Sequence, residues 1–124
     1  MSNPLGIVAA VGGLLAVALG AFGAHGLKAS FGPHLLEVWQ TAVSYQMYHS
    51  LALLVLAVLP AARGALFQRA AWLMVAGTVI FSGTLYGRVL LDIPAFGMVT
   101  PVGGVLLLVG WATLVWAFAR HPGN

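Results

Sequence analysis

The side chains able to do chemistry are concentrated in one stretch, Trp39-Gln-Thr-Ala-Val-Ser-Tyr-Gln-Met-Tyr-His-Ser50. It carries amide, hydroxyl, phenol and imidazole groups. It runs without a break into Leu51-Ala-Leu-Leu-Val-Leu-Ala-Val-Leu59, which has no hydrogen-bonding side chain. On a helical wheel Glu37, Gln40, Thr41, Ser44, Tyr45 and Tyr48 share one face, His49 lies at its edge, and Gln46 and Ser50 point elsewhere. Further along, Thr78, Ser82 and Tyr86 recur every four residues and form a matching stripe, with Arg88 just beyond. His49 is the sharpest member, because an imidazole can titrate near neutral pH and a hydroxyl cannot. Such a set can serve two ends. It can line a polar cavity that binds a small polar ligand or relays protons, or it can be a hydrogen-bonded network that fixes helix register.

Other chemistry finds less support. Among the four histidines, His25 and His49 could meet across two helices as axial haem ligands, but there is no C-x-x-C-H and no paired-His spacing on one helix face. His34 and Glu37 share a helix face, yet the only other acid is Asp92, too few for a carboxylate-bridged metal site. Glu37 and Asp92 are expected to pair with Arg88, Asp92 from the i+4 position. The chain has no G-x-x-x-x-G-K phosphate loop and no G-x-S-x-G elbow. No cysteine is present, so disulfides and thiolate metal sites are excluded. No cofactor and no metal is expected.

The elements that must position these groups follow from composition. Of 124 residues, 61% are hydrophobic and 6% charged. A soluble domain carries about 25% charged residues, so the class is all-α integral membrane protein, a single domain. The formal charge of +3 reflects a scarcity of acids and gives no nucleic-acid footprint. A span needs about 20 mostly apolar residues. Four segments qualify: 4–24, with Asn3 as N-cap, then about 36–59, about 70–91, and 101–119 with Thr100 as N-cap. The first lacks the basic n-region of a signal peptide and is expected to be retained. Short connections predict an up-down-up-down four-helix bundle.

That topology puts Arg63, Arg69 and Arg120 on the side of the termini and Lys28 and Arg88 on the other, a bias toward cytoplasmic termini. It also gathers the polar stretch of the second span, the Ser82–Tyr86 end of the third, His25 and Thr100 into one leaflet. Unpaired polar groups are costly in hydrocarbon, so they should face one another inside the bundle. Trp39, Trp72 and Trp116 suit the membrane interface, while the deeper Trp111 reads as packing. Gly12, Ala16, Gly20 and Ala24 form a small-residue stripe on the first helix, and Gly103, Gly104 and Gly110 do the same on the fourth. These stripes suit internal helix packing or an oligomer interface.

Four blocks of the sequence resemble a known family. They are Gly20-Ala-Phe-Gly-Ala-His-Gly-Leu27, Trp39 to His49, Phe81-Ser-Gly-Thr-Leu-Tyr86 and Thr100-Pro-Val-Gly-Gly104. They look like the signature blocks of domain of unknown function 423, also called uncharacterised protein family 0382, whose eukaryotic relatives are called transmembrane protein 256. Ser44 stands where relatives often carry a longer polar or basic residue. The resemblance implies a small multi-pass protein of bacterial inner membranes, without an assigned activity. It adds weight to His25, Gln40, Tyr45, Gln46, Tyr48 and His49 as residues to test. The expected role is a non-enzymatic accessory or assembly partner of a larger membrane complex, in contact with lipid and with other subunits or a second copy. The alternatives are a small-solute or proton-linked carrier using the polar cavity and, third, a haem- or quinone-binding redox protein.

Overall fold

The computed structural model describes residues 2–121. Four helices, α1 (Pro4–Phe22), α2 (Pro33–Val58), α3 (Ala65–Leu91) and α4 (Ala95–Arg120), make up almost all of it. Each is long and apolar enough to cross a bilayer. A π-helical turn, Gly23–Leu27, continues α1, and a 3-10 turn, Pro60–Arg63, joins α2 to α3. The result is an all-α four-helix bundle.

The start of α1 is fixed by local chemistry. Asn3 Oδ1 accepts the Gly6 amide at 3.0 Å, and Pro4 supplies a preset first helical residue. Asn3 Nδ2 also donates to the Ala57 carbonyl at 2.8 Å, tying the start of α1 to the end of α2. At the same end of the bundle Phe67 of α3 meets Phe118 of α4 edge-on, with ring centroids 4.9 Å apart. The start of α1, the end of α4 and the α2–α3 turn therefore lie together.

Three helices begin earlier than their apolar length suggests: α2 at Pro33 rather than Leu36, α3 at Ala65 rather than Ala70, and α4 at Ala95 rather than Pro101. Hydrophobicity marks the stretch that must lie in lipid, but helices continue past it wherever water can satisfy their ends. Thr100 is thus no N-cap. It lies inside α4, its hydroxyl donating to the Phe96 carbonyl at 3.0 Å, and Pro101 is carried within the helix. Residues 122–124 lie outside the described residues. α3 ends at Asp92 in the left-handed conformation, with φ of 51°. This closes the helix, so Asp92 is its C-cap and not the next rung of an Arg88 pair. The Arg88 stem instead passes beside Gly97 of α4.

Packing follows chain order: α1 on α2, α2 on α3 and, most extensively, α3 on α4. No comparably packed pair closes α1 onto α4 among the described residues. Leu5, Leu53, Leu56, Phe67, Met74, Leu107 and Leu114 build the main core in the half that carries the termini. Trp39, Val43, Leu27 and Val89 form a second cluster in the other half. The perimeter is apolar, with Leu14, Val58, Leu108 and Val115 all largely exposed, as a lipid-facing surface must be.

Most members of the small-residue stripes are used inside the bundle, Ala24 being exposed and Gly104 lining an open face. A side chain at Gly12 would meet Ser50 Oγ, one at Gly20 would press on Val43, and Ala16 is buried between them. On α4, a Cβ at Gly103 would stand 2.8 Å from Phe81 Cα and 2.9 Å from the Gly77 carbonyl oxygen. Only glycine lets the α3 and α4 backbones approach this closely, which is how helices adhere where lipid offers no hydrophobic drive.

Candidate functional site

The buried face of α2 is Trp39, Ala42, Val43, Gln46, His49, Ser50, Leu53 and Leu56, at alternating three- and four-residue spacing. This differs from the face drawn on the wheel. Gln46 and Ser50, expected to point elsewhere, are interior, whereas Glu37, Gln40, Tyr45 and Tyr48 are exposed and Thr41 and Ser44 are half-buried. The wheel assumed that every polar residue of α2 needs covering by protein. Because α2 starts at Pro33, Glu37 and Gln40 lie in its early turns, within reach of water. Thr41 satisfies its hydroxyl on the Glu37 carbonyl of its own helix, at 3.0 Å.

The interior polar groups form a seam across the helices. Gln46 Nε2 donates to the Gly12 carbonyl of α1 at 2.8 Å, and Gln46 Oε1 accepts from the Tyr86 hydroxyl of α3 at 2.6 Å. One amide thus ties three helices. Ser82 of α3 donates to the Ala42 carbonyl of α2 at 2.7 Å. The hydroxyls of Thr84 and Thr100 meet at 2.6 Å between α3 and α4. Thr78 is the exception in its stripe: its Oγ1 is buried with no partner.

His49 is held from both sides. Its Nδ1 lies 2.6 Å from the Tyr45 carbonyl, and its Nε2 accepts from Trp111 Nε1–H of α4 at 3.0 Å. A carbonyl can only accept and an indole N–H can only donate, so the neutral ring with its proton on Nδ1 satisfies both bonds. Trp111 is the partner that sequence reasoning missed. The available signal was an indole N–H at mid-depth, away from the interface where tryptophan finds water.

Trp39 also departs from expectation. It is 1% exposed, and its indole N–H donates to the Leu19 carbonyl at 2.8 Å. Its ring lies against Phe22 and Tyr86, at centroid distances of 6.0 Å and 4.7 Å. Gly23, which opens the π turn, makes room for it: a Cβ there would stand 2.5 Å from the indole Cδ1. This turn carries His25, which is exposed, whereas His49 is buried with both ring nitrogens engaged by Tyr45 and Trp111, and the two imidazoles make no hydrogen bond or ring contact among the described residues. Arg88 is half-buried near the α3–α4 connection, apart from the seam.

Two lateral grooves remain because α1 does not pack on α3, nor α2 on α4, as closely as chain neighbours do. The α1–α3 groove, about 370 Å³, is floored by Gln46, Ser50 and Ser82 and walled by valines and leucines. The α2–α4 cleft, about 600 Å³, is lined by Tyr45, Tyr48, His49, Phe81, Gly104 and Trp111 among others. Its rings are clustered: Tyr45 lies 4.6 Å from Phe81, 6.1 Å from Tyr48 and 6.0 Å from His49, and His49 lies 5.9 Å from Trp111.

The fold and seam define a small four-helix integral membrane protein whose interior polar groups are joined chiefly to one another and to backbone. Comparison with known proteins places it further. The model of the family described as a protein of unknown function (DUF423) matches residues 19–104, and the chain belongs to that family. A UPF0382 membrane protein of Staphylococcus aureus (strain bovine RF122) is 44% identical over 117 residues, covering 94% of this chain and 96% of the relative. One from Staphylococcus epidermidis (strain RP62A) is 40% identical over the same shares. No solved structure matches.

Proposed function

We propose that this chain is a non-enzymatic accessory component of a larger bacterial inner-membrane assembly, acting by contact within the bilayer. What supports this reading is the state of the interior. Gln46, His49, Ser82, Tyr86, Thr84 and Thr100 hold one another, Trp111 or backbone carbonyls across helices. Groups so engaged set helix register and leave the lateral surfaces as the parts free to act. The small-residue stripes add little to the role, because Gly12, Ala16, Gly20, Gly103 and Gly110 are taken up in internal packing. In the proposed orientation the termini are cytoplasmic, on the side of Arg63, Arg69 and Arg120.

The test is extraction of the tagged chain from native membranes in mild detergent. Recovery of a discrete larger species with a partner in fixed ratio is the expected result. A strictly monomeric protein, together with no loss of any membrane complex on deletion, would refute the role.

A further inference from the structure

The α2–α4 cleft holds an arrangement that the seam does not explain. Tyr45 and Tyr48 lie close to the middle of the 26-residue helix α2. At about 1.5 Å per residue, both are well inside a hydrocarbon layer roughly 30 Å thick. Tyr48 is 61% exposed and Tyr45 39%. Neither hydroxyl has a protein partner among the described residues, although every such group in hydrocarbon is costly to leave unpaired. Tyrosine is enriched at the membrane interface, where its hydroxyl meets water. Two of them at mid-depth, side by side on a lateral opening, require a partner that arrives through the bilayer.

The cleft specifies that partner's chemistry. Its lining includes four flat rings in contact, Tyr45 against Phe81 and His49 against Trp111, with Gly104 leaving space on α4. Its free polar groups are phenolic donors. The imidazole cannot contribute an acceptor, because Nε2 already takes the Trp111 proton and Nδ1 faces the Tyr45 carbonyl. A complementary molecule is flat, conjugated and lipophilic, and bears hydrogen-bond acceptors at its rim. We propose that the α2–α4 cleft binds the carbonyl-bearing ring of a membrane-soluble quinone-class molecule, with Tyr45 and Tyr48 donating to its oxygens. A second polypeptide helix is the rival occupant. A ring is favoured because the rings offset around the cleft suit stacking on an aromatic face. The proposal concerns binding alone and is independent of the accessory role, since it is read on the purified chain.

The experiment is a titration of the full chain in phospholipid nanodiscs with decyl-benzoquinone, followed by quenching of Trp111 fluorescence against a Trp111→Phe control. Decylbenzene, which has the same tail and no carbonyl, serves as the comparison ligand in a competition format. Saturable quenching is expected, lost in Trp111→Phe. Tyr45→Phe with Tyr48→Phe keeps both rings and removes both donors, and should weaken quinone binding about tenfold through two lost hydrogen bonds. Its thermal midpoint, measured alongside, should stay near that of the parent, because the hydroxyls hold nothing within the protein. Linear quenching that is equal in the parent and the double variant would reduce the effect to partition into lipid and overturn the proposal. So would decylbenzene competing as well as the quinone, or a protein cross-link formed through Tyr48→Cys in native membranes.

Discussion

Replacing Gln46 with leucine tests whether the seam organises the bundle. The side chain joins α2 to α1 through the Gly12 carbonyl and to α3 through the Tyr86 hydroxyl, at 2.8 Å and 2.6 Å. Leucine fills similar space and removes both bonds. Side-chain hydrogen bonds between membrane helices average about 0.6 kcal/mol and reach about 1.7 kcal/mol in double-mutant cycles. Two of them predict a loss of about 1–3 kcal/mol. The stranded Tyr86 hydroxyl adds to this, because an unsatisfied buried donor costs about 1–3 kcal/mol. Gln46→Leu should therefore cost roughly 2–6 kcal/mol in all. Tyr86→Phe keeps the ring against Trp39 and should cost about 1 kcal/mol. In the double variant no donor is stranded and the shared bond is lost only once, so its loss should fall short of the sum of the singles by about 1.6–4.7 kcal/mol. The assay is reversible unfolding in mixed micelles, monitored by tryptophan emission and by helicity so that two-state behaviour is checked. Losses that add within about 0.3 kcal/mol would mean that Gln46 and Tyr86 are not coupled, and the three-helix tie would be wrong.

Other substitutions probe separate parts of the same frame. Trp111→Phe keeps a ring beside His49 but removes its donor, and should destabilise by about 1 kcal/mol; nitrogen NMR of His49 should report a neutral ring protonated on Nδ1 in the parent, and a signal of the other tautomer would contradict the geometry. Gly103→Val drives a branched side chain into the α3 backbone at Phe81 and should lower stability by about 1–3 kcal/mol or more; an unchanged midpoint would remove the close α3–α4 approach. Asp92→Gly relieves a left-handed backbone at a helix C-terminus, where glycine is the favoured residue, and should raise stability by up to about 1 kcal/mol; a loss of similar size would show that the Asp92 side chain holds the turn.

The number, order and direction of the helices were legible because apolar length and punctuation are one-dimensional signals. Asn3 before Pro4 reads as a helix start and is one. The rotation of each helix about its axis was not legible, and the reason is physical. In a soluble helix the apolar side identifies the core, but here the perimeter is as apolar as the interior, so polarity alone had to choose the buried face. On α2 that rule misleads twice. Glu37 and Gln40 are polar because they lie near the surface of the membrane, and Tyr45 and Tyr48 are polar on a lateral face. The buried side was marked instead by size. Gln46 and Ser50 oppose Gly12 of α1, Val43 opposes Gly20, and Trp39 enters the gap at Gly23. Complementarity between a glycine on one helix and a bulky or bonding group on another is a two-body property, invisible along a single helix. The same holds for His49: its residue type suggested a proton site, while its place in the fold depends on Trp111, sixty-two positions along the chain. A histidine between an indole donor and a carbonyl acceptor is a structural strut, and that shifts attention to the neighbouring tyrosines, whose hydroxyls the bundle leaves without a partner.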